Sequence, residues 1–363
     1  ITIMDNAFLG CNKLASVSLD ALKFTKLGNS CFSECARLQS INLSTPNVEF
    51  GDSCFKQCAA LTSVLFNKYM YSSTSRAKNR VNFQIESVTI GKNCFEGCSS
   101  LSSFNLSEVG KVKVDSQAFE GCSKLDSLLI QGNEISLEDD FIKDCKIIKN
   151  IKLLSNCFLI VPTKFFKDAA ALQSVEIAGE KVVIGENCFE NCFNIQEIAG
   201  YYSQRDITVK SNSSVEIGKS CFIGSKYLEK VTFSGGQIIF GSDCFNSCSS
   251  IKNFTLENFV YVELGANSLT GCNPSYFTAT PSSKIGFDNY FEYIDDLESD
   301  DSGKLFLVQK KGSDDVFAVK VINKRLKSSD DKNNFLKEMI LSTRINYPVI
   351  DNVIGFSLKD FNS

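Results

Sequence analysis

The side chains in this 363-residue chain best suited to chemistry are its sixteen cysteines. Many stand in pairs four residues apart around a phenylalanine, as Cys94 and Cys98 do in GKNCFEGCSSLSSFNL, residues 91–106. Thiolates so placed can ligate a metal or oxidise to a disulfide, whereas protonated thiols pack as small hydrophobes. Histidine is absent. That removes Ser/His/Asp and Cys/His nucleophilic pairs and every zinc arrangement that needs imidazole.

What positions the cysteines is a repeat. The motif phenylalanine, or its substitute, falls at Phe8, Phe32, Phe55, Phe95, Phe119, Ile142, Phe166, Phe189, Phe222, Phe245 and Leu269. Eleven copies of a 23 to 24 residue unit therefore fill roughly residues 1–277, with two insertions. Each copy reads as a short alternating strand such as Val88-Thr89-Ile90, then Gly-x-x-Cys-Phe-x-x-Cys, then Leu-x-x-Val-x-Leu ending in a second strand. The spacing of three and four around the Phe predicts a short helical turn between the strands. One unit cannot bury its apolar face alone, so successive units must stack into a solenoid with the Phe column as its spine. Seven copies place Gly four residues before the Phe position, at Gly28, Gly51, Gly91, Gly185, Gly218, Gly241 and Gly265. A left-handed or a tightly packed corner would require it.

Substitutions between copies decide what the thiols do. The site before the Phe holds Cys in six copies but Ala7 and Ala118 in two, Ser268 in one, and Phe141 and Phe165 in two more. The second site holds Cys in nine, with Ala169 and Ser225 as exceptions. A metal site or disulfide fails when one member becomes Ala, yet those copies keep the rest of the motif. The expected role is packing. No metal is expected. Sixteen thiols used this way point to a reducing compartment.

The pattern I-G-x-x-C/A-F-x-x-C-x-x-L-x-x-I-x-I resembles the BspA-type leucine-rich repeat family over about three quarters of the chain. The resemblance implies a binding solenoid over residues 1–280, mainly strands and turns, that recognises other proteins; some members are surface adhesins. A net charge of −4 with pI near 5.3 provides no basic field for nucleic acid or an anionic membrane. No apolar run approaches the roughly 18 residues of a membrane span. The chain opens on Ile1 inside a repeat, so an upstream segment, with any targeting signal, is expected.

Outward positions of the second strand are expected to form one continuous face: Ser18, Asn42, Leu65, Asn105, Leu129, Lys152, Glu176, Thr232 and Thr255. Both insertions fall between the second strand of one copy and the first of the next, so they project from one edge. The first, residues 67–83, carries Lys68, Arg76, Lys78 and Arg80 and no acid, which suits an acidic partner. The second, residues 200–214, carries Tyr201 and Tyr202.

After Leu269 the pattern decays, residues 281–286 read as a linker, and a different domain begins at Phe287. Three strands, a capped helical stretch and the start of another strand follow. VFAVKVI, residues 316–322, then Phe335-Leu336-Lys337-Glu338, Pro348 and Gly355, resemble the small lobe of a protein kinase, an α+β unit truncated at residue 363. That resemblance implies ATP and magnesium as cofactors. Lys320 would face the phosphates, Glu338 would hold its ammonium, Ala318 would admit the adenine, and Leu297 and Leu305 would roof it. Where the lobe has its glycine-rich loop, this chain reads Glu298-Ser-Asp300-Asp301-Ser-Gly303 and keeps only the last glycine. Acids there repel a triphosphate.

The sequence stops before any H-R-D or D-F-G motif, so no complete catalytic set is expected in this stretch. The expected whole is a cytoplasmic recognition solenoid coupled to a protein kinase. A pseudokinase scaffold, or a surface adhesin whose signal lies upstream, is the alternative.

Overall fold

The computed structural model describes residues 1–71, 80–194, 205–282, 287–300, 303–322, 334 and 355–356. Equivalent strands of successive copies pair in parallel and in register, as Val88 with Val112 and Val112 with Ile135. Alternation gives each strand a buried and an outward row, seen in Ile85–Ile90 and Asn150–Ser155. The eleven turns so formed make a β-solenoid.

Two long strands, Ser103–Val114 and Ser127–Leu137, join the pieces of the stack. Before them, first strands belong to a twelve-stranded sheet and second strands to a separate three-stranded one, Ser16–Asp20, Ser40–Ser44 and Ser63–Phe66. Beyond them, second strands continue the twelve-stranded sheet, and the five first strands from Leu159–Val161 onward, with Gly355–Phe356 as the sixth strand, build a six-stranded one.

The corners are not helical. Residues two before and two after the Phe have positive φ in turn after turn, as Ser30 and Glu34 (51° and 61°) and Asn187 and Asn191 (53° and 56°). Such angles break a right-handed helix. Tight turns such as Cys35 N–H to Phe32 O (3.3 Å) replace it, and alternate N–H groups cross to the next copy, as Phe32 N to Cys54 O and Phe189 N to Cys221 O, both 2.8 Å. The three-and-four spacing reflects these turns. The backbone ladder thus continues round the corner and leaves few groups orphaned.

Inside, Phe rings stack at centroid spacings of 5.0, 5.5, 5.4 and 5.1 Å from Phe8 through Phe32, Phe55 and Phe95 to Phe119. Stacking resumes from Phe166 through Phe189 and Phe222 to Phe245 at 5.0, 5.2 and 4.8 Å. Between them Ile142 leaves the column short of a ring. Phe141 and Phe165, standing in the cysteine column 4.5 Å apart, restore the volume.

Fourteen cysteines are buried, and Cys11 and Cys157 are exposed. The second-site thiols act as more than filler. Seven, from Cys35 to Cys248, donate to the carbonyl of the Phe in the turn before, as Cys58 Sγ does to Phe32 O at 3.0 Å, Cys192 to Phe166 at 2.9 Å and Cys248 to Phe222 at 3.0 Å. Ser225 makes the same bond to Phe189 O at 2.9 Å, which explains a hydroxyl in a fully buried column.

Of the two reasons for the glycine column, close approach is the operative one. A Cβ at Gly218 would lie 2.6 Å from the amide nitrogen of Glu186 and the carbonyl carbon of Gly185 in the turn before, and its φ is ordinary. Rigid backbone cannot yield as a side chain can. Gly218→Ala is therefore expected to lower unfolding free energy by about 2–3 kcal/mol, measured by urea denaturation. An unchanged midpoint would mean that the turns are spaced more widely there.

Candidate functional site

Surface chemistry on a solenoid lies on its outward rows, because every second residue of each strand is spent on the core. On the second strands, register aligns Asn105, Leu129, Lys152, Glu176, Thr208, Thr232, Thr255 and Thr278 as eight consecutive rungs. Thr208 lies on Asp206–Ser211, so residues 206–211, expected within the second insertion, are instead the second strand of their turn. Ser18, Asn42 and Leu65 align separately on the three-stranded sheet. The expected single face is thus two, divided where the first insertion separates the strands. Lys152 pairs with Glu176 at 2.8 Å, and Thr278 Oγ1 donates to Thr255 Oγ1 at 3.1 Å. Part of the long row is therefore already satisfied within itself.

At the first insertion, Tyr69–Tyr71 and Arg80–Asn82 form an antiparallel hairpin. Lys68 at its base is bound to Glu108 and holds that carboxyl below the ordinary carboxylate range. Its charge is answered within the chain. Arg80 stands opposite Tyr71 in the hairpin; Arg76, Lys78, Tyr201 and Tyr202 lie outside the described residues. Beside the hairpin is a groove of about 390 Å³, lined by the Lys68–Glu108 pair, Phe83 and the carboxamides of Gln84, Gln131, Asn133 and Asn156. Sequence reading missed it because its walls come from four successive turns. Glu108 has positive φ (56°) and bends the chain into the wall.

The C-terminal strands Phe291–Asp300, Gly303–Lys310 and Val316–Ile322 form an antiparallel sheet in that order. Register sets Leu305 opposite Lys320 and Leu307 opposite Ala318, and Gly303 opposite Asp300 at the hairpin end. Ala318 is exposed, and Leu297 is 51% exposed where the register shifts between Asp296 and Glu298. Glu338 lies outside the described residues. The further strand expected after the helical stretch is Gly355–Phe356, and it pairs antiparallel with Val262 and Glu263 of the last repeat strand.

A stack of 23 to 24 residue turns with an alternating core and outward rows defines a leucine-rich-repeat type of solenoid. The BspA type leucine rich repeat region profile matches in six copies, over residues 1–78, 66–196 and 160–298, and the chain belongs to that family. Among solved structures the chain is similar to a leucine-rich repeat protein from Bacteroides ovatus, with 15% identity over 74% of each chain and a TM-score of 0.33. No curated protein matches. Among the described residues, no helix is long and apolar enough to cross a membrane.

Proposed function

We propose that the solenoid recognises another protein along the eight-rung row from Asn105 to Thr278, in a reducing compartment such as the cytosol. The observation that carries this reading is the row itself. Its positions stand in unbroken register and, apart from Thr232, which is buried, offer amide, hydroxyl and charged groups on a rigid surface, as an extended partner needs. Protein recognition is also the role of such repeats generally.

A second reading couples this recognition to a protein kinase, in which the C-terminal sheet begins the small lobe and ATP with magnesium phosphorylates protein hydroxyls in the longer protein. It is favoured by the three-stranded antiparallel order and by Ala318 and Lys320 falling on one face of the third strand, opposite Leu307 and Leu305. The fit to nucleotide is partial. The cation position and its leucine neighbours are present, but the hairpin carries Glu298 and Asp300 where a phosphate cradle needs glycine. A scaffold whose lobe no longer binds nucleotide is the rival.

Calorimetric titration of Mg-ATP into the chain and its Lys320→Met form tests the kinase reading. At least tenfold weaker binding by the variant is expected. Equal affinity, or no binding by either, leaves the scaffold. For the recognition reading, a Glu176→Lys change should weaken capture of the solenoid's partner, while Glu134→Lys, in the first-strand part of Ser127–Leu137, should not. Equal loss from both would remove the row as the contact.

A further inference from the structure

The outer surface of the last turns departs from the repeat at two places, and both meet the same object. In the row preceding the buried first-strand residues, Ser214 aligns with Gln237 and Gln237 with Tyr261. Elsewhere this row is polar, as at the aligned Ser87, Lys111 and Glu134, or carries an exposed ring, as at Phe24 and Phe158, 38% and 49% exposed. Here it carries a tyrosine that is only 6% exposed. One residue earlier, the corner holds Ser213 and Val260 in the neighbouring turns but Gly236 between them. A Cβ on Gly236 would collide with the hydroxyl of Tyr290. Two residues after Tyr261, the carboxylate of Glu263 faces Lys310 at 3.5 Å.

Tyr290 and Lys310 belong to the C-terminal sheet and the turn that enters it. Register puts Tyr293, Val308 and Phe317 in one row of that sheet and Asp296, Phe306 and Val319 in the next, all on the same face. That face turns to the solenoid: Phe291 meets Tyr261 edge-on at 5.0 Å and Phe317 at 6.1 Å, and Val308 is 2% exposed. Tyr261, Phe291 and Val308 form a small core of their own, with Tyr290, Phe306, Phe317 and Val319 packed round it. Positions 316, 318 and 320 alternate to the opposite face. The chain then returns, and Gly355–Phe356 closes the free edge of the last first strand.

We infer that Gly236, Tyr261 and Glu263 form a dedicated docking surface whose partner is the chain's own C-terminal sheet, and that this docking makes the sheet a fixed extension of the solenoid. Tyr261 supplies buried area where its neighbours supply polarity, Gly236 removes the one side chain that would obstruct Tyr290, and the Glu263–Lys310 pair sets orientation more than strength. A partner lying along Asn105 to Thr278 is thereby held at constant distance from the face that carries Ala318. That consequence rests on the recognition reading. The docking does not, and it stands whether or not the open face takes a nucleotide.

The test is amide hydrogen exchange on the full chain and on two variants, Tyr261→Gln and Gly236→Ala. Tyr261→Gln installs the residue that the preceding turn already carries in this row, so the solenoid retains a side chain it tolerates. In the parent, amides of 303–310 and 316–322 should be protected as strongly as those of the last turns. Both variants should speed exchange there at least tenfold and leave turns one to eight unchanged. Exchange over 303–322 that is indifferent to both changes, or acceleration spread evenly along the solenoid, would overturn the inference. Because nothing in this readout involves ATP or an outside partner, its failure is distinct from failure of the proposed function.

Discussion

Raising the pH beyond about 9 is expected to unfold the solenoid cooperatively, with a midpoint between roughly pH 9 and 10.5. Burial pushes the thiols of Cys98, Cys188, Cys192, Cys244 and Cys248 well up, and those of Cys58 and Cys145 up to about 12. Cys31 is raised first by its hydrogen bond with Cys54 and then by burial. An open chain releases these protons from about pH 8.5 upward, whereas the folded chain keeps them. The folded state then binds more protons, so stability is complete below the open-chain value and is lost as pH rises above it. Each thiol contributes about 1.4 kcal/mol per pH unit in that window. About a dozen acting together exceed the usual 5–15 kcal/mol of a folded domain within roughly one unit.

Far-UV circular dichroism against pH measures this. Tyrosine and lysine also titrate in that range, so the control is the triple Cys188→Ala, Cys221→Ala, Cys244→Ala variant, which uses the residue that Ala118 already places in the column. Its stability should fall less steeply with pH, by about 4 kcal/mol per unit. A parent signal that stays flat to pH 11 would mean that the thiols are reached by water.

Truncating the spine at a fully enclosed ring should have the next largest effect. Phe222 is fully buried between Phe189 at 5.2 Å and Phe245 at 4.8 Å, with ring planes within 9°. Phe222→Ala removes that stack and leaves a cavity that the flanking backbone ladder, tied at 2.8 Å by Phe222 N to Cys244 O, cannot collapse to fill. The expected loss is about 3–5 kcal/mol in urea denaturation. Because each turn touches only its neighbours, lost hydrogen-exchange protection should centre on turns eight to ten. Phe8→Ala is the internal comparison. Phe8 is 38% exposed and stacks on one side only, so its truncation should lose less than half as much. Equal losses at the two positions would contradict a spine whose strength comes from enclosure.

The spine was legible because a 23 to 24 residue period repeats often enough for substitutions to be compared within one chain. The same comparison separated packing from ligation at Ala7 and Ala118, but it could not show the thiol-to-carbonyl bonds. These join residues about 26 apart in sequence, such as Cys58 and Phe32. Corner geometry was hidden for another reason. Positive φ falls on Ser30, Glu34, Asn187 and Asn191, where the inter-turn ladder overrides the preference of a residue with a Cβ. Lys68 looked free because its partner Glu108 lies 40 residues away, beyond the inserted hairpin. The division of the outward row likewise follows from pairing lost at that insertion and leaves no local mark. Tyr261 did carry a readable signal, a tyrosine in a row of Ser214 and Gln237, but its meaning needed the opposing Phe291. For the kinase resemblance, the strand register sets Ala318 and Lys320 opposite Leu307 and Leu305, while Glu338 lies outside the described residues.

Stacked turns that enclose protonated thiols are tested most directly by brief alkylation of the native chain with iodoacetamide at pH 8, followed by peptide mapping. Labelling confined to Cys11 and Cys157, with the fourteen buried cysteines modified only after denaturation, is the expected result. Rapid native labelling of Cys98 or Cys188, or recovery of either in a disulfide-linked peptide, would contradict it.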